Sequence, residues 1–584
     1  GRLLLQHYPE AERSQELFAI IGQLNLSLAL ITSDSEKHQL AQLNLHAAKL
    51  AKQASVWDAA VTYVRMALSL LPENAWTNHY TLIFGSTKVL AECEYLLGHA
   101  KQSEVLYDTL LSNALDSFDK AQLYSERLVQ TIGRGQWQQG IDYGISGLHY
   151  LGIDIETEPE TLKATLQEQH RQFVLAQKTR PLSQLCNLPE MTDPRLLIAS
   201  SIIPNLSQCG YILGQLEFQK HCTLLGLNMT WRSGKSDLTP ILLACHAIQL
   251  AREELSAQAY EVAEQAINIA ALYPNCRELA NTNNVLAGLV MYLKSPYQDA
   301  IILHQHGYEL GLENGEVARA ALNFCNLQIL KVSIGEELYK VHEQTALSLS
   351  LVKRKAIFIP ISSFIRKFTK ALIDGKSEGI NALNDEKFES KFLAKIKSGF
   401  HIPYLCHYRS QLAFWYDEPE RATEDAAQVQ AQTILIPKFC FYIDHLVQYG
   451  LLLAIKSDKL CVAQQADLDF CLSKLKTLAA LYPPNFTHKR ALLQAEIALA
   501  EGQSIEVLMP LYQQAIDSAE VNGFLQYQAL ANELYGRAWL SKNVRPMAKI
   551  HLKQAKALYR RWGCTVKVHN LKNEFAELFQ SSTA

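Results

Sequence analysis

No run of apolar residues in the sequence approaches the roughly 20 needed to cross a bilayer. The nearest candidate, YGLLLAI at 449–455, reads as a buried helix turn. Charge of one sign is not in excess either: 55 Lys and Arg stand against 58 Asp and Glu, for a net charge of -3. No overall field therefore draws in nucleic acid or an anionic membrane surface. The 12 cysteines include no CxxC pair and keep no regular spacing, so the clustered ligands of a zinc site are missing. Cys222, Cys245 and Cys325 lie among apolar helical residues and read as reduced core thiols of a cytoplasmic protein. Only 18 prolines and 27 glycines punctuate the chain, and no long segment alternates apolar with polar residues, which excludes an extensive sheet. The first residues, GRLLLQHYPEAERSQ, lack the order of a signal peptide. They read as a chain entered partway through a helix, which predicts a piece of something longer.

What is present is helical periodicity over 584 residues, too many for one core. One spacing keeps returning: a small residue, a second position four later, a third three beyond, and often a breaker after five more. It runs through Ala60, Val64, Ala67 and Pro72, through Ala259, Ala263 and Ala266, and through Ala548, Leu552 and Ala555. In GQWQQGIDYGISGLHYLG the same positions hold Gly140, Gly144 and Gly147, with Gly152 as terminator. Interior glycines cost a helix about 1 kcal/mol each against Ala, so packing must repay them. Residues four and three apart share a helix face, and small side chains there let a partner helix approach closely. This is the second helix of a tetratricopeptide-like hairpin. ELYGRAWL supplies a first helix through Tyr535, Gly536 and Trp539, and NNVLAGLVMYL does so through Ala287, Gly288 and Met291. Turns such as LLGHAKQ, TIGRGQW and LALAEGQS separate the helices.

The expected fold is all-α: hairpin repeats stacked into an α-α superhelix with a long groove. Residues 1–152 form a first run of repeats and 206–584 a second. Between them, 153–205 form an irregular helical connection, in which IDIETEPETL starts a new helix and four prolines mark a crossing at 181–205. At 34 to 45 residues per unit, the chain holds about 14 units.

Several phrases go beyond a generic repeat. They are LNLHAAKLAKQASVWDAAVTYVRMALSLLP, AECEYLLG, LPEMTDP, GYELGLENGEVARAAL and ALYRRWGCTVKVHNL, in that order. The set resembles the helical central region of large bacterial multidomain signalling proteins. The resemblance implies a protein-kinase-like domain and a STAND-type ATPase before this region, and a GAF domain with a histidine kinase or other output module after it. Cys564 departs from the small Ala expected after WG.

Motifs that carry chemistry are scarce. SGKSD at 233–237 has Met229 where a phosphate loop needs Gly, and reads as a polar inter-helix turn. His342-Glu343 lacks the residues of a phosphoacceptor box and reads as a surface histidine. His304 and His306 are two apart, diverge on a helix and cannot share an ion. Nothing reads as a catalytic, cofactor-binding or metal site. Two basic stretches remain. Lys353, Arg354, Lys355, Arg366, Lys367 and Lys370 read as two solvated helix ends. The other runs from Lys542 to Lys567 without an acid, and within it Lys549, Lys553, Lys556 and Arg560 form a stripe at four-three-four spacing. That stripe is the candidate docking surface for an acidic protein or a neighbouring domain. The sequence-level expectation is a non-catalytic interaction arm, with a small-molecule sensor holding a ligand in the groove as the alternative. Neither nucleic-acid binding nor membrane insertion is expected.

Overall fold

The computed structural model describes residues 2–7, 13–354, 360–384, 390, 401–432, 440–456 and 459–579. Among these the backbone is helix and turn throughout, and no strand forms; one isolated bridge pairs Glu190 with Lys235. The helices run as hairpins, among them Asp34–Gln53 with Trp57–Ser69, Ser117–Gly133 with Trp137–Tyr150, Thr239–Arg252 with Ser256–Ala270, and Leu525–Ser541 with Arg545–Trp562. The protein is an all-α array of tetratricopeptide-like hairpins.

The turns share one device. Their middle residue sits at positive φ: Ser55 at 60°, Gly135 at 71°, Glu254 at 65° and Asn543 at 60°. The next amide then reaches back to close the helix end, as Val56 N does to the Ala51 carbonyl at 2.9 Å and Gln136 N to the Thr131 carbonyl at 2.9 Å. This left-handed cap reverses the chain in three residues and satisfies carbonyls that the helix end leaves open.

The recurring small positions are the seams between helices. Ala60, Val64, Ala67, Ala259, Ala263, Ala266, Ala548, Leu552 and Ala555 are each 0% exposed. The glycines of Trp137–Tyr150 are used to different degrees. A methyl on Gly140 would meet Leu128 Cδ1 at 3.2 Å, and one on Gly147 would meet Ile202 Cδ1 at 2.9 Å. At Gly144 it would fall 2.5 Å from Leu206 Cδ2. Leu128 belongs to the glycines' own hairpin, whereas Ile202 and Leu206 come from the helix Pro194–Ile212. The seam thus serves two neighbours at once.

Two compact units make up the chain: Gly1–Glu156 with Asp193–Cys209, and Thr157–Thr192 with Gly210–Ala584. Pro159 opens the helix Pro159–Thr179 at its first turn, where a missing amide proton costs nothing. The expected irregular crossing at 181–205 is shorter than its prolines suggest. Pro194 starts a helix that runs to Ile212, with Pro204 inside it. A proline is cheap at a helix start, and the rest of the helix's apolar residues outweigh the hydrogen bond lost at Pro204.

Inside the second unit the expected groove is filled by the chain itself. Asn485 Nδ2 donates to the carbonyls of Tyr292 and Ser295, both at 2.7 Å, and the Tyr292 pair is 193 residues apart. Gln526 Nε2 donates to the Ser333 carbonyl at 2.6 Å across the same separation. The Tyr297 and Phe524 rings meet edge-to-face at 5.5 Å. The helix Cys440–Ala454, which contains most of YGLLLAI, is consequently buried on every side. No helix of the described residues is long and apolar enough to cross a membrane. All 12 cysteines are free, and all except Cys186 and Cys461 are buried.

Candidate docking surface

The helix Arg545–Trp562 buries one face through Ala548, Leu552, Ala555, Tyr559 and Trp562. The predicted stripe flanks that face. Lys553 and Arg560 are exposed, while Lys549 and Lys556 are half-buried. Lys556 Nζ stands 3.9 Å from the centre of the Phe579 ring. Burial depresses the Lys556 ammonium pKa first, and the nearby cations Arg560, Lys553 and Lys572 depress it further. Lys572, on the helix Thr565–Glu574, therefore joins the patch. Sequence spacing within one helix had no means of finding it, since it lies across a turn.

Other cations of the 542–567 run are spent on the fold. Lys567 is 3% exposed, with Nζ 2.8 Å from Glu533 Oε1 and 2.7 Å from Asp417 Oδ1. Glu533 also accepts from Tyr559 at 2.7 Å and from Arg537 at 3.0 Å. Although burial opposes it, Lys567 and Arg537 hold the Glu533 carboxyl below its usual range. Arg545 pairs with Glu577 at 3.3 Å. The acids absent from the run in sequence are thus supplied from outside it. Among the described residues, no carboxylate lies within ion-pair distance of Lys553, Lys556, Arg560 or Lys572.

The other motifs resolve into structural roles. Gly234 sits at φ 108°, and a Cβ there would lie 2.5 Å from the Pro189 carbonyl oxygen. That contact lets SGKSD lie against the LPEM segment: Lys235 N donates to Pro189 O at 2.9 Å, and Met191 N to Lys235 O at 2.7 Å. Lys235 Nζ goes to Leu188 O at 2.6 Å and Glu190 at 2.7 Å, so the lysine of the apparent phosphate motif is already engaged. His342 is half-buried against Thr369 at 3.0 Å. His304 is buried against Asn323 at 3.1 Å, and His306 is exposed. Arg366 and Lys367 each donate to a backbone carbonyl, of His342 and Ala382, at 2.9 Å, rather than lying wholly in solvent. Lys370 is exposed, and the side chains of Lys353 and Arg354, with all of Lys355, lie outside the described residues.

Two features bear on whether the second unit could carry catalysis or hold a small molecule. Glu496 is pushed up to about 7, chiefly by burial, while nearby Glu533 is pushed down. Such a divergent pair is the usual mark of acid–base chemistry. Yet Glu496 is 7% exposed and covered by the Tyr512 hydroxyl at 2.5 Å, and neither acid lines the cavity between His407 and Trp562 in the second unit. That cavity measures about 40 Å³ and is lined by His407, Asp444, Gln448, Gln526 and Trp562 among apolar walls. At ~10–15 Å³ per water it holds about three, far below a drug-sized site. Among the described residues, no group of three or more His, Cys, Asp or Glu is placed to hold a metal ion.

No family model matches the chain. A curated relative, hybrid signal transduction histidine kinase G of Dictyostelium discoideum, is 23% identical over 182 residues, which is 29% of this chain and 5% of that protein. The match therefore spans a small part of the relative's length. Among solved structures, the APC/C hetero-tetramer Cut9–Hcn1 aligns over 96% of this chain and 94% of its own at 12% identity, with a TM-score of 0.41. Yeast Tom70 aligns over 94% and 98% at 13% identity, with a TM-score of 0.24. These scores are low, and the fold class stands on the hairpins themselves.

Proposed function

We propose that this chain is a non-catalytic interaction arm of a cytoplasmic, bacterial signal-transduction protein. It couples a protein-kinase-like domain and STAND ATPase on one side to a GAF and histidine-kinase output on the other. The observation that carries the reading is the array of hairpins. Each small-residue seam is spent on its neighbours, and the polar interior of the second unit is spent on holding the array together. The signalling context draws support from the curated relative, itself named as a histidine kinase. Its bacterial character rests on the phrases from LNLHAAKL to ALYRRWGC. Partners are proteins or adjoining domains, met on outer surfaces such as the Lys549–Arg560 stripe, because the inner face of the second unit is occupied.

The alternative, a small-molecule sensor, has the 40 Å³ cavity as its place in the second unit. A ligand larger than a few waters would have to displace the lining, including Gln526 from the Ser333 carbonyl it holds. The test of the leading reading uses the full-length protein with and without this arm. Cross-linking should join the arm to its flanking domains, and its deletion should uncouple stimulus from phosphorylation. Unchanged regulation after deletion would reject the reading.

A further inference from the structure

Resting on the interaction-arm reading, we infer that Lys553, Lys556, Arg560 and Lys572 form a docking site for an acidic peptide segment with clustered carboxylates. Three observations meet here. First, three other cations of these helices have found acids: Arg537 has Glu533 and Glu574, Arg545 has Glu577, and Lys567 has Glu533 and Asp417. These four have none among the described residues. Second, Arg560, Lys553 and Lys572 stand close enough to Lys556 to add to the depression that burial imposes on its ammonium, so the patch carries a like-charge repulsion. Third, Lys556 is held in place by the Phe579 ring at 3.9 Å, which limits the side-chain entropy that a ligand must remove.

The shape of the patch sets the ligand. Lys553 and Arg560 are seven residues apart on one helix, or about 10 Å along its axis. An extended peptide with acids at alternate positions places carboxylates about 7 Å apart on one side, so three acids span the row and a fourth reaches toward Lys572. A nucleic acid fits less well. Four cations neutralise few phosphates, the ring nearest them is covered by Lys556, leaving no stacking platform, and the chain as a whole is acidic at -3.

The experiment measures fluorescence anisotropy of a labelled decaglutamate peptide, and separately of a dT12 oligonucleotide, on the full 584-residue chain. The test variant is K553Q/K556Q/R560Q/K572Q. The control is K101Q/K163Q/K178Q/K459Q, which removes the same charge from exposed lysines elsewhere. Decaglutamate should bind the wild type and the control alike and the test variant about tenfold or more weakly, from the loss of four ion pairs at the surface. It should be released near 1 M salt, where the screening length falls to about 3 Å. The inference is overturned if the wild type does not bind the peptide, if test and control variants lose it equally, or if dT12 binds more tightly at equal salt. Should the test variant show altered circular dichroism, the exposed single changes Lys553→Gln and Arg560→Gln decide, each expected to weaken binding about two- to fivefold. The same test variant separates this inference from the broader reading. Interdomain cross-links that survive it, with peptide binding unaffected, would leave the interaction arm standing and move its docking surface elsewhere.

Discussion

Substituting Gly144 by Ala sets two known effects against each other. An exposed helix would gain about 1 kcal/mol from the change. Here the new methyl would lie 2.5 Å from Leu206 Cδ2, 2.8 Å from its Cγ and 3.2 Å from its Cδ1. Leu206 is 0% exposed, so it cannot swing into solvent to make room. Overpacking of this kind costs about 1–3 kcal/mol, so the net change is a loss of up to about 2 kcal/mol. Gly140→Ala is the internal standard, since its nearest neighbours stand at 3.2 and 3.3 Å. That change should be neutral or stabilising by up to about 1 kcal/mol. Leu206→Ala alone should cost about 2–5 kcal/mol by opening a cavity. Combined with Gly144→Ala it should cost less than the sum, by about 1 kcal/mol or more, because the new methyl enters the vacated space. Hydrogen exchange of amides in Trp137–Tyr150, followed against urea on the full chain, reads these effects locally. A Gly144→Ala variant that is protected more strongly than wild type would refute the close-packing argument.

Ser55→Gly should raise stability by about 1 kcal/mol, because Ser55 is exposed at φ 60° and only its backbone strain is relieved; a urea midpoint that stays put would count against that account of the turns. Glu496 has a folded pKa near 7, raised from the ordinary carboxylate value, so the native state binds the extra proton and stability falls as pH rises from about 4.5 to 7. Glu496→Gln should remove that loss, gaining up to about 3 kcal/mol at pH 8 and little at pH 4.5; equal effects at both would contradict it. His407 is held neutral by burial, its folded pKa lowered to about 3, so stability falls as pH drops below the unfolded value near 6.5. His407→Phe should make the pH 6.5-to-4 limb of the denaturation curve shallower by about 1.4 kcal/mol per pH unit, and an unchanged slope would place that ring in contact with water. Lys567→Ala should cost about 3 kcal/mol by leaving Glu533 with less than its charge balance in the interior; a loss under 0.5 kcal/mol would mean Arg537 alone suffices.

The hairpins were legible because their signal is local. Ala259, Ala263 and Ala266 advertise a seam by size and spacing, and no distant residue changes that meaning. Gly144 was legible as a close contact, but its neighbour Leu206 was not, since the helix carrying Leu206 was hidden behind the prolines of 181–205. The clasp between SGKSD and LPEM was in view as two separate oddities. Their pairing depends on the Gly234 backbone at positive φ, which spacing does not encode. Closure of the second unit's interior was wholly out of reach. Asn485 and Gln526 look like ordinary polar helix residues until carbonyls 193 positions away are brought to them.

Lys553 and Lys567 show why the docking surface was only partly legible. Both belong to one acid-free run, and composition treats them alike. Lys567 turned inward, where an unpaired ammonium would be ruinous, and the fold supplies Glu533 and Asp417 from outside the run. Lys553 turned outward, where water solvates it at little cost and no carboxylate follows. The distinction is set by the face of each helix and by helices elsewhere in the second unit, not by the run itself. Charges paired in the interior are committed to stability, and removing one should destabilise the protein. Charges left unpaired on the surface cost the fold a modest repulsion and return nothing to it. That asymmetry, together with an inner face already filled by Tyr297 and Phe524, directs the search for partners to the outer row of Lys553, Lys556, Arg560 and Lys572.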